Sequence, residues 1–224
     1  MKGSEFMMES TTKWVYQKWA KQVIKNLKNN YIEGFYFDSS KEALPGILEH
    51  IPQGVVVGLG DSMTLNQIGM ISILEKGDYH LLNPWAEPDM EKRILMQRQI
   101  LTSDVFLVGT NAITLNGELI NVDGRGNRVA AMIFGPKKVL VVVGVNKIVR
   151  NVEEGITRIK SIAGPANAKR HEFQKDRCPP CAVSGFCSDC KPPLTICCIQ
   201  VVIRGQRLDR ERIKVFIIGE ELGL

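Results

Sequence analysis

Residues 54–64 read Gly-Val-Val-Val-Gly-Leu-Gly-Asp-Ser-Met-Thr, and this stretch decides the fold. Its apolar run at 55–57 is typical of a strand that is covered on both faces of a sheet, because the side chains on both faces of such a strand are buried and apolar. Apolar residues then recur at helical spacing from Leu65 to Leu74. A strand, a glycine-rich turn and a helix in direct succession indicate the repeating unit of an α/β protein.

The same pattern recurs along the rest of the chain. Further apolar strands are predicted at 104–108, 139–144, 196–203 and 215–218, and helices at 11–29, 40–51, 88–101, 126–133 and 152–163. Apolar strands that are separated by helices imply a mainly parallel sheet with helices on both faces. We therefore predict this α/β fold, with an N-terminal helix in front of it.

Length and composition favour one globular domain. The chain has 224 residues, of which 44% are hydrophobic, and this is enough to bury a core. Residues 1–6 resemble the remnant of an expression tag, so a single domain is predicted for 7–224. No apolar run approaches the roughly 18 residues of a membrane helix, and no apolar segment of a signal peptide follows Lys2. We expect no membrane span and a cytoplasmic protein.

The net charge of +5 is modest and spread along the chain. The densest basic stretches are 13–28, which also carries an apolar helical face, and 204–214, where Asp209 and Glu211 dilute the charge. A nucleic-acid-binding protein normally concentrates its lysines and arginines on one face, so nucleic acid is not expected as a partner. A mild positive excess suits a small anionic metabolite instead.

The turn after the first predicted strand is a candidate ligand site. Its glycines allow the backbone to approach a ligand closely, and free N–H groups at a helix start favour an anion. The candidate ligand-binding residues are Gly58, Gly60, Asp61, Ser62 and Thr64. Alternatively, Asp61 or Ser62 caps the helix and the glycines only pack it against the sheet. The sequence is not Gly-x-Gly-x-x-Gly, so it does not indicate a dinucleotide.

A second polar block follows the strand at 104–108. Asn116-Gly117, between two β-like pieces, indicates a hairpin. Around it lie further candidate ligand-binding residues, Asn111, Asn121, Gly124, Asn127 and Arg128. A turn alone needs only some of these residue types. The full set could bind a hydroxylated or carboxylated small molecule, with Arg128 as a fork for a carboxylate or phosphate.

All six cysteines lie between Cys178 and Cys198, in the pattern C-x2-C-x5-C-x2-C-x6-C-C. In a reducing compartment, clustered thiols more often bind metal than form disulfides. We therefore predict a metal-binding excursion from the domain at about 176–198, rich in cysteine and proline. The spacing alone leaves zinc and an iron–sulfur cluster open. His171 could add a ligand but is interpreted as a lone surface histidine.

Three segments carry a resemblance to a known family. The turn at 58–62, the block from Gly109-Thr110-Asn111-Ala112 to Asp123-Gly124-Arg125-Gly126-Asn127-Arg128, and the terminal Gly219-Glu220-Glu221-Leu222-Gly223 resemble the LUD domain family, which includes lactate-utilisation proteins of the LutC and YkgG type. The resemblance extends from about residue 11 to the end. It implies a fold similar to the superfamily of ribose-5-phosphate isomerase, glucosamine-phosphate deaminase and coenzyme A transferase (NagB/RpiA/CoA transferase-like).

The resemblance also implies a ligand set and a function. The family's C-terminal cysteine pattern matches Cys181, Cys187, Cys190 and Cys197, which implies a [4Fe–4S] cluster on these four, with Cys178 and Cys198 as alternates and Zn²⁺ as the alternative metal. Isomerases of the superfamily carry Gly-Ala-Asp where this chain has Gly109-Thr110-Asn111, so their chemistry is not carried over. Asp123 and Glu220 are the carboxylates to test as acid/base groups.

Three functions stay open at this point. The first is an iron–sulfur-containing oxidoreductase component that takes part in the oxidation of L-lactate to pyruvate together with partner redox subunits. The second is an enzyme or sensor that binds a phosphorylated or carboxylated molecule, such as a 2-hydroxy acid, beside a structural metal. The third is a non-catalytic interaction subunit, because membership of a family does not by itself establish activity.

Overall fold

Ten strands provide the framework of the molecule. A computed structural model describes residues 2–171, 173 and 175–224, with the side chains of 2–10 and 175 outside the description. Its strands are β1 (Glu33–Phe37), β2 (Val56–Leu59), β3 (His80–Leu82), β4 (Val105–Gly109), β5 (Ala112–Thr114), β6 (Leu119–Asp123), β7 (Lys138–Gly144), β8 (Ile148–Val149), β9 (Ile199–Ile203) and β10 (Ile213–Ile218).

Nine α-helices connect the strands in the described residues. They are α1 (Lys2–Asn29), α2 (Ser40–Leu48), α3 (Met63–Gln67), α4 (Met70–Lys76), α5 (Met90–Gln99), α6 (Asn127–Ile133), α7 (Val152–Arg158), α8 (Gly164–Arg170) and α9 (Cys181–Ser184). A π-helical turn, Ile159–Ala163, joins α7 to α8, and 3₁₀ turns lie at Ile100–Thr102, Val145–Lys147 and Lys175–Arg177. None of the described helices is both long and apolar enough to cross a membrane.

The main sheet has six strands in the order β1-β10-β7-β4-β2-β3, and all of its pairings are parallel. At its centre, Val142 of β7 lies between Gly109 of β4 and Phe216 of β10. The predicted mainly parallel α/β sheet is thereby confirmed. Because every strand runs the same way, the turns that follow β2, β4 and β7 emerge at one edge, side by side.

Alternate residues of the central strands face two separate cores. In β4, Phe106 and Val108 pack with α1 and α6, whereas Val105 and Leu107 pack with α2, α3 and α4. This alternation follows from the two-residue period of a strand. It explains why the central strands read as unbroken apolar runs, and it places helices on both faces as predicted.

A second, four-stranded sheet, in the order β8-β5-β6-β9, was not predicted. Its β5 and β6 form the hairpin that Asn116-Gly117 indicated, and Gly117 has φ +81°, a conformation that favours glycine. One face packs on the α1 side of the main sheet, and the other is covered by the helical segment around Val152 and Ile159. The hairpin and a strand at 196–203 were predicted, but their pairing into a separate sheet joins segments that are far apart in sequence.

Other elements differ from their predicted bounds. The helix expected at 65–74 is divided into α3 and α4, because Gly69 adopts φ +76°. The helix expected at 152–163 continues through the π-helical turn into α8. The last long apolar segment begins its strand at Ile199 and not at 196. The tag interpretation of 1–6 falls on Met1 and on side chains outside the described residues.

Candidate functional site

A cavity of about 320 Å³ lies at the carboxyl edge of the main sheet. It is bordered by the turns after β2, β4 and β7 and by the N-terminal end of α6. In open α/β sheets, ligands bind in the crevice at this edge. Seven residues that the sequence singled out lie together in its wall: Asp61, Ser62, Asn111, Asp123, Gly124, Asn127 and Arg128.

Two of the predicted glycines pack against the sheet and are not among the described residues of the cavity wall. A Cβ atom at Gly58 would lie 2.8 Å from Ile100 Cγ2, and one at Gly60 would lie 2.9 Å from Val108 Cγ2. Ser62 both borders the cavity and caps α3, since its Oγ accepts the Leu65 N–H at 3.3 Å. The packing and capping alternative therefore describes these glycines better than direct ligand contact.

Three other predicted residues also lie outside the described wall. Thr64 is buried, and its Oγ1 accepts a hydrogen bond from Lys147 at 3.2 Å. Asn121 is fully buried and supports Arg128 from behind. Glu220 is separated from Asp123, because its Oε1 accepts the Ser40 backbone N–H at 2.8 Å at the start of α2. In this position Glu220 stabilises a helix end.

Arg128 is held by the protein on every side. Its Nε and Nη2 contact Asp123 Oδ1 at 2.8 and 2.7 Å, and its other donors reach Gly109 O, Asn121 Oδ1, Asn111 Oδ1 and Val122 O at 2.6 to 3.2 Å. Asp123 Oδ2 in turn accepts the Val129 N–H at 3.1 Å. The guanidinium has no free fork for an anion. It ties the turns after β4 and β6 together and shapes the cavity.

Asp61 forms a second charged cluster across the cavity. Its Oδ2 is paired with Arg170 of α8 and lies 3.2 Å from His171 Nε2. Burial opposes ionisation of this carboxyl, but hydrogen bonds from His171 and Arg170 and the charge of Arg170 outweigh it and hold its pKa below the usual range. The interpretation of His171 as a lone surface histidine is wrong, since its ring borders the cavity between Trp85 and Phe173.

Lys147 is a further cavity residue that the sequence interpretation missed. It ends the 3₁₀ turn after β7 and is 5% exposed. Burial, together with the charges of Arg158 and Arg128, lowers the pKa of its amine to about 7. One signal could have revealed it, because Lys147 lies three residues after the end of β7, much as Asp61 and Asn111 lie two residues after β2 and β4.

Two buried polar atoms of the wall residues have no partner in the described part of the chain. They are Oε1 of Gln97, an acceptor, and Nε of Arg170, a donor. Leaving a buried donor or acceptor unpaired costs about 1–3 kcal/mol.

A second cavity, of about 490 Å³, is lined by the four thiols of Cys181, Cys187, Cys190 and Cys197. Cys178 and Cys198 are not among its described wall residues. Burial and the neighbouring Cys187, Cys181 and Cys190 raise the pKa of the Cys197 thiol to about 11, which reflects how near these sulfurs are to one another. Within the described residues, no three histidine, cysteine or carboxylate side chains converge as ligands of one ion would.

The two cavities share a wall. Val122 and Ile196 line both of them. The segment that carries Cys197 is also hydrogen-bonded to the wall of the first cavity, because the Cys198 N–H donates to Asp123 O at 2.9 Å. The polar cavity and the thiol cavity are therefore separated by one layer of residues.

This fold and site define an α/β protein with a ligand-sized polar cavity at the carboxyl edge of a parallel sheet. A family model described as the LUD domain matches residues 20–218. The chain therefore belongs to the LUD domain family, which is associated with lactate utilisation in general.

Comparison with solved structures gives one neighbour to report. It is a duf162 family protein from Deinococcus radiodurans at 1.70 Å resolution, with a TM-score of 0.49 and 15% sequence identity over 91% of this chain and 98% of that chain. No curated protein matches the chain.

Proposed function

We propose that this protein is the iron–sulfur-containing component of a system that oxidises L-lactate to pyruvate. The observation that carries the proposal is the common wall of the two cavities, in which Val122 and Ile196 face both the polar site and the thiols. A 2-hydroxy acid in the first cavity would lie one residue layer from a redox centre in the second. Oxidation of a 2-hydroxy acid to a 2-oxo acid releases two electrons and two protons, whereas a [4Fe–4S] cluster takes up one electron at a time. We therefore propose that both electrons pass in turn through the cluster to a partner redox subunit, and that the protons pass to His171 and to solvent.

The thiol cavity suits a multi-iron cluster. Four cysteine thiolates are the usual ligands of a [4Fe–4S] cluster, and four line this cavity. When bound, the cluster supplies one-electron transfer. Lys160 pairs with Asp189 at 2.6 Å and holds the cysteine segment against the helical part of the molecule.

The charges of the polar cavity suit an anion. Its described wall contains two side-chain carboxylates, Asp61 and Asp123, which are paired with Arg170 and Arg128 respectively, and the α-carboxylate of Leu224, whose O accepts from Arg158 Nη1 at 3.2 Å. The remaining cationic side chains of the wall are Arg93 and Arg125, and Lys147 adds an amine. These basic groups favour the carboxylate of a 2-hydroxy acid.

His171 is the best-placed base for the hydroxyl proton. Its Nε2 lies 3.2 Å from Asp61 Oδ2 and 3.1 Å from Arg170 Nη2, and in the tautomer that donates from Nε2 to Asp61 the nitrogen left basic is Nδ1. A carboxylate that orients a histidine in this way also stabilises the imidazolium that forms. We assign this role to His171 in place of Asp123, whose oxygens are occupied by Arg128 and the Val129 N–H.

The test of the redox centre is metal analysis of protein purified without oxygen. We expect about four iron and four sulfide per chain, a broad absorbance near 400 nm and an electron paramagnetic resonance signal after reduction. Cys190→Ala should lose the cluster. Cys198→Ala is the matched control and should keep it, because its sulfur is not among the described residues of the thiol cavity. Zinc without sulfide in the wild type would refute the proposal and favour a sensor or enzyme with a structural metal.

The test of the ligand uses the same preparation. L-lactate should raise the melting temperature and change the resonance signal of the cluster, since the cavities share a wall. His171→Gln should still bind L-lactate but should lose the reduction of the cluster by it. If L-lactate leaves both the melting temperature and the signal of the wild type unchanged, the lactate assignment is wrong.

A further inference from the structure

The amine of Lys147 lies between two parts of the chain, at the border of the polar cavity. Its Nζ donates to Thr64 Oγ1 of α3 at 3.2 Å, and its side chain borders the polar cavity. Over it passes the terminal segment, where a Cβ atom on Gly223 would lie 2.6 Å from Nζ and 2.4 Å from Thr64 Oγ1. Gly223 has φ +68°, so both space and backbone favour glycine here. The surrounding chain therefore buries the amine at the border of the cavity.

This buried amine lacks a negative partner. No described side-chain carboxylate lies within ion-pair distance of Lys147, and the nearest charges that act on it, Arg158 and Arg128, are positive. The other titratable or charged groups of the described cavity wall are Asp61, Arg93, Asp123, Arg125, Arg128, Arg170, His171 and the α-carboxylate of Leu224. Each of these carboxylates has an arginine partner, because Asp61 pairs with Arg170, Asp123 with Arg128, and Leu224 O accepts from Arg158 Nη1 at 3.2 Å, so the amine is left for a ligand.

We propose that Lys147 receives the anionic group of the ligand and takes up a proton as the ligand binds. The identity of that group as the carboxylate of a 2-hydroxy acid rests on the proposed function. A bound anion offsets the repulsion from Arg158 and Arg128, and this stabilises the ammonium form. The amine therefore changes from mainly neutral to mainly charged when the cavity fills.

The electrostatics support this linkage. With a pKa of about 7, the amine of the empty site is mainly neutral at pH 8. Arginine side chains stay charged in proteins, so an anion received by arginines alone would bind without proton uptake. Proton uptake consequently distinguishes Lys147 from the arginines of the same cavity.

The experiment is isothermal titration of the anaerobic holoprotein with L-lactate at pH 8, in HEPES and in Tris. The difference in measured heat between buffers of unlike ionisation enthalpy gives the protons taken up. We expect close to one proton for the wild type. Lys147→Met should bind at least tenfold more weakly and without uptake, whereas Lys147→Arg should bind without uptake. Lys92→Met, in exposed α5, is the matched control and should behave as the wild type.

Two further probes, pyruvate and inorganic phosphate, separate this proposal from the proposed function. If L-lactate binds and uptake persists in Lys147→Met or Lys147→Arg, the role of Lys147 is refuted and the lactate assignment stands. If phosphate binds with Lys147-dependent uptake and neither L-lactate nor pyruvate binds, the lactate assignment is refuted and the role of Lys147 stands. If none of the three binds, both are refuted. Circular dichroism and melting curves verify that each variant is folded.

Discussion

At the scale of single residues, the sequence identified which residue types border the cavity, but not the hydrogen bonds and ion pairs that those residues form. Asp123 and Arg128 were predicted as an acid/base group and an anion fork, and both border the cavity. The structure shows that they are bound to each other and to backbone groups. A side chain's remaining hydrogen-bonding capacity depends on neighbours that are distant in sequence, so it cannot be derived from residue type and spacing.

We predict that Arg128→Ala destabilises the protein by about 3–5 kcal/mol, because it leaves the buried Asp123 carboxylate without its partner. The stability of Arg128→Lys should lie between that of Arg128→Ala and that of the wild type, since one ammonium group cannot replace the five directed N–H donors of arginine. Urea unfolding followed by circular dichroism measures the difference. The exposed neighbour Arg125→Ala is the control and should stay within about 0.5 kcal/mol of the wild type. Equal stability of the two alanine variants would contradict the structural role.

A second prediction concerns the pH dependence of stability. The pKa of Lys147 is lowered from 10.5 in the unfolded chain to about 7, so between these values the unfolded state binds the extra proton and stability rises with pH. Lys147→Met should remove this contribution, which is about 1.4 kcal/mol per pH unit. The free energy of unfolding of the variant should therefore exceed that of the wild type by the largest amount near pH 7, and the difference should become smaller towards pH 10.

The measurement is urea unfolding of both proteins at several pH values from 7 to 10. Lys92→Met should run parallel to the wild type, because this side chain is exposed on α5. If the curves of the wild type and Lys147→Met ran parallel, burial would not disfavour the charged form of the Lys147 amine.

At the scale of elements, glycine turns explain how the second sheet is attached. Gly117, at the tip of the β5–β6 hairpin, rests on the C-terminal end of α1, where an added Cβ would lie 2.9 Å from Leu27 N. Asn30 Nδ2 donates to Asn116 O at 2.8 Å and joins the same two elements. The hairpin was recognised from Asn116-Gly117, but its contact with α1 joins residues about ninety positions apart.

We predict that Gly117→Ala costs more stability than Gly54→Ala. Both glycines have left-handed φ values, +81° and +73°, so alanine strains the backbone by about 1–2 kcal/mol at either site. Only at Gly117 does the new methyl group also meet the backbone of α1, because nothing lies within 4 Å of a Cβ on Gly54. Thermal unfolding of the two variants compares them directly. Equal losses would show that the hairpin does not press on α1.

At the scale of the whole molecule, the two cavities depend on each other through the segment between Ile196 and Cys198. This segment lines the thiol cavity, borders the polar cavity and bonds to Asp123 O. Under the proposed function, filling the thiol cavity should therefore order part of the ligand site as well. Folding and metal binding would then be coupled.

The corresponding prediction is that cluster loading stabilises the entire fold. A stabilisation of about 3 kcal/mol would raise the melting temperature by roughly 6–12 °C in a chain of this size. Calorimetry of loaded and cluster-free protein without oxygen measures the shift, which should appear in the wild type and in Cys198→Ala and be absent in Cys190→Ala. Equal melting temperatures for the loaded and the cluster-free wild type would argue against coupling between folding and cluster binding.

Sequence alone determined the parallel α/β sheet, because unbroken apolar runs separated by helical patterns leave few other ways to bury their side chains. It also found the turns after β2 and β4 and the hairpin at Gly117, since these depend on neighbouring residues. Only the tertiary structure decided that Glu220 stabilises α2, that His171 joins Asp61, and that Lys147 is buried without a carboxylate. These facts arise where separate elements meet, and their energies depend on burial and on partners that local sequence does not contain.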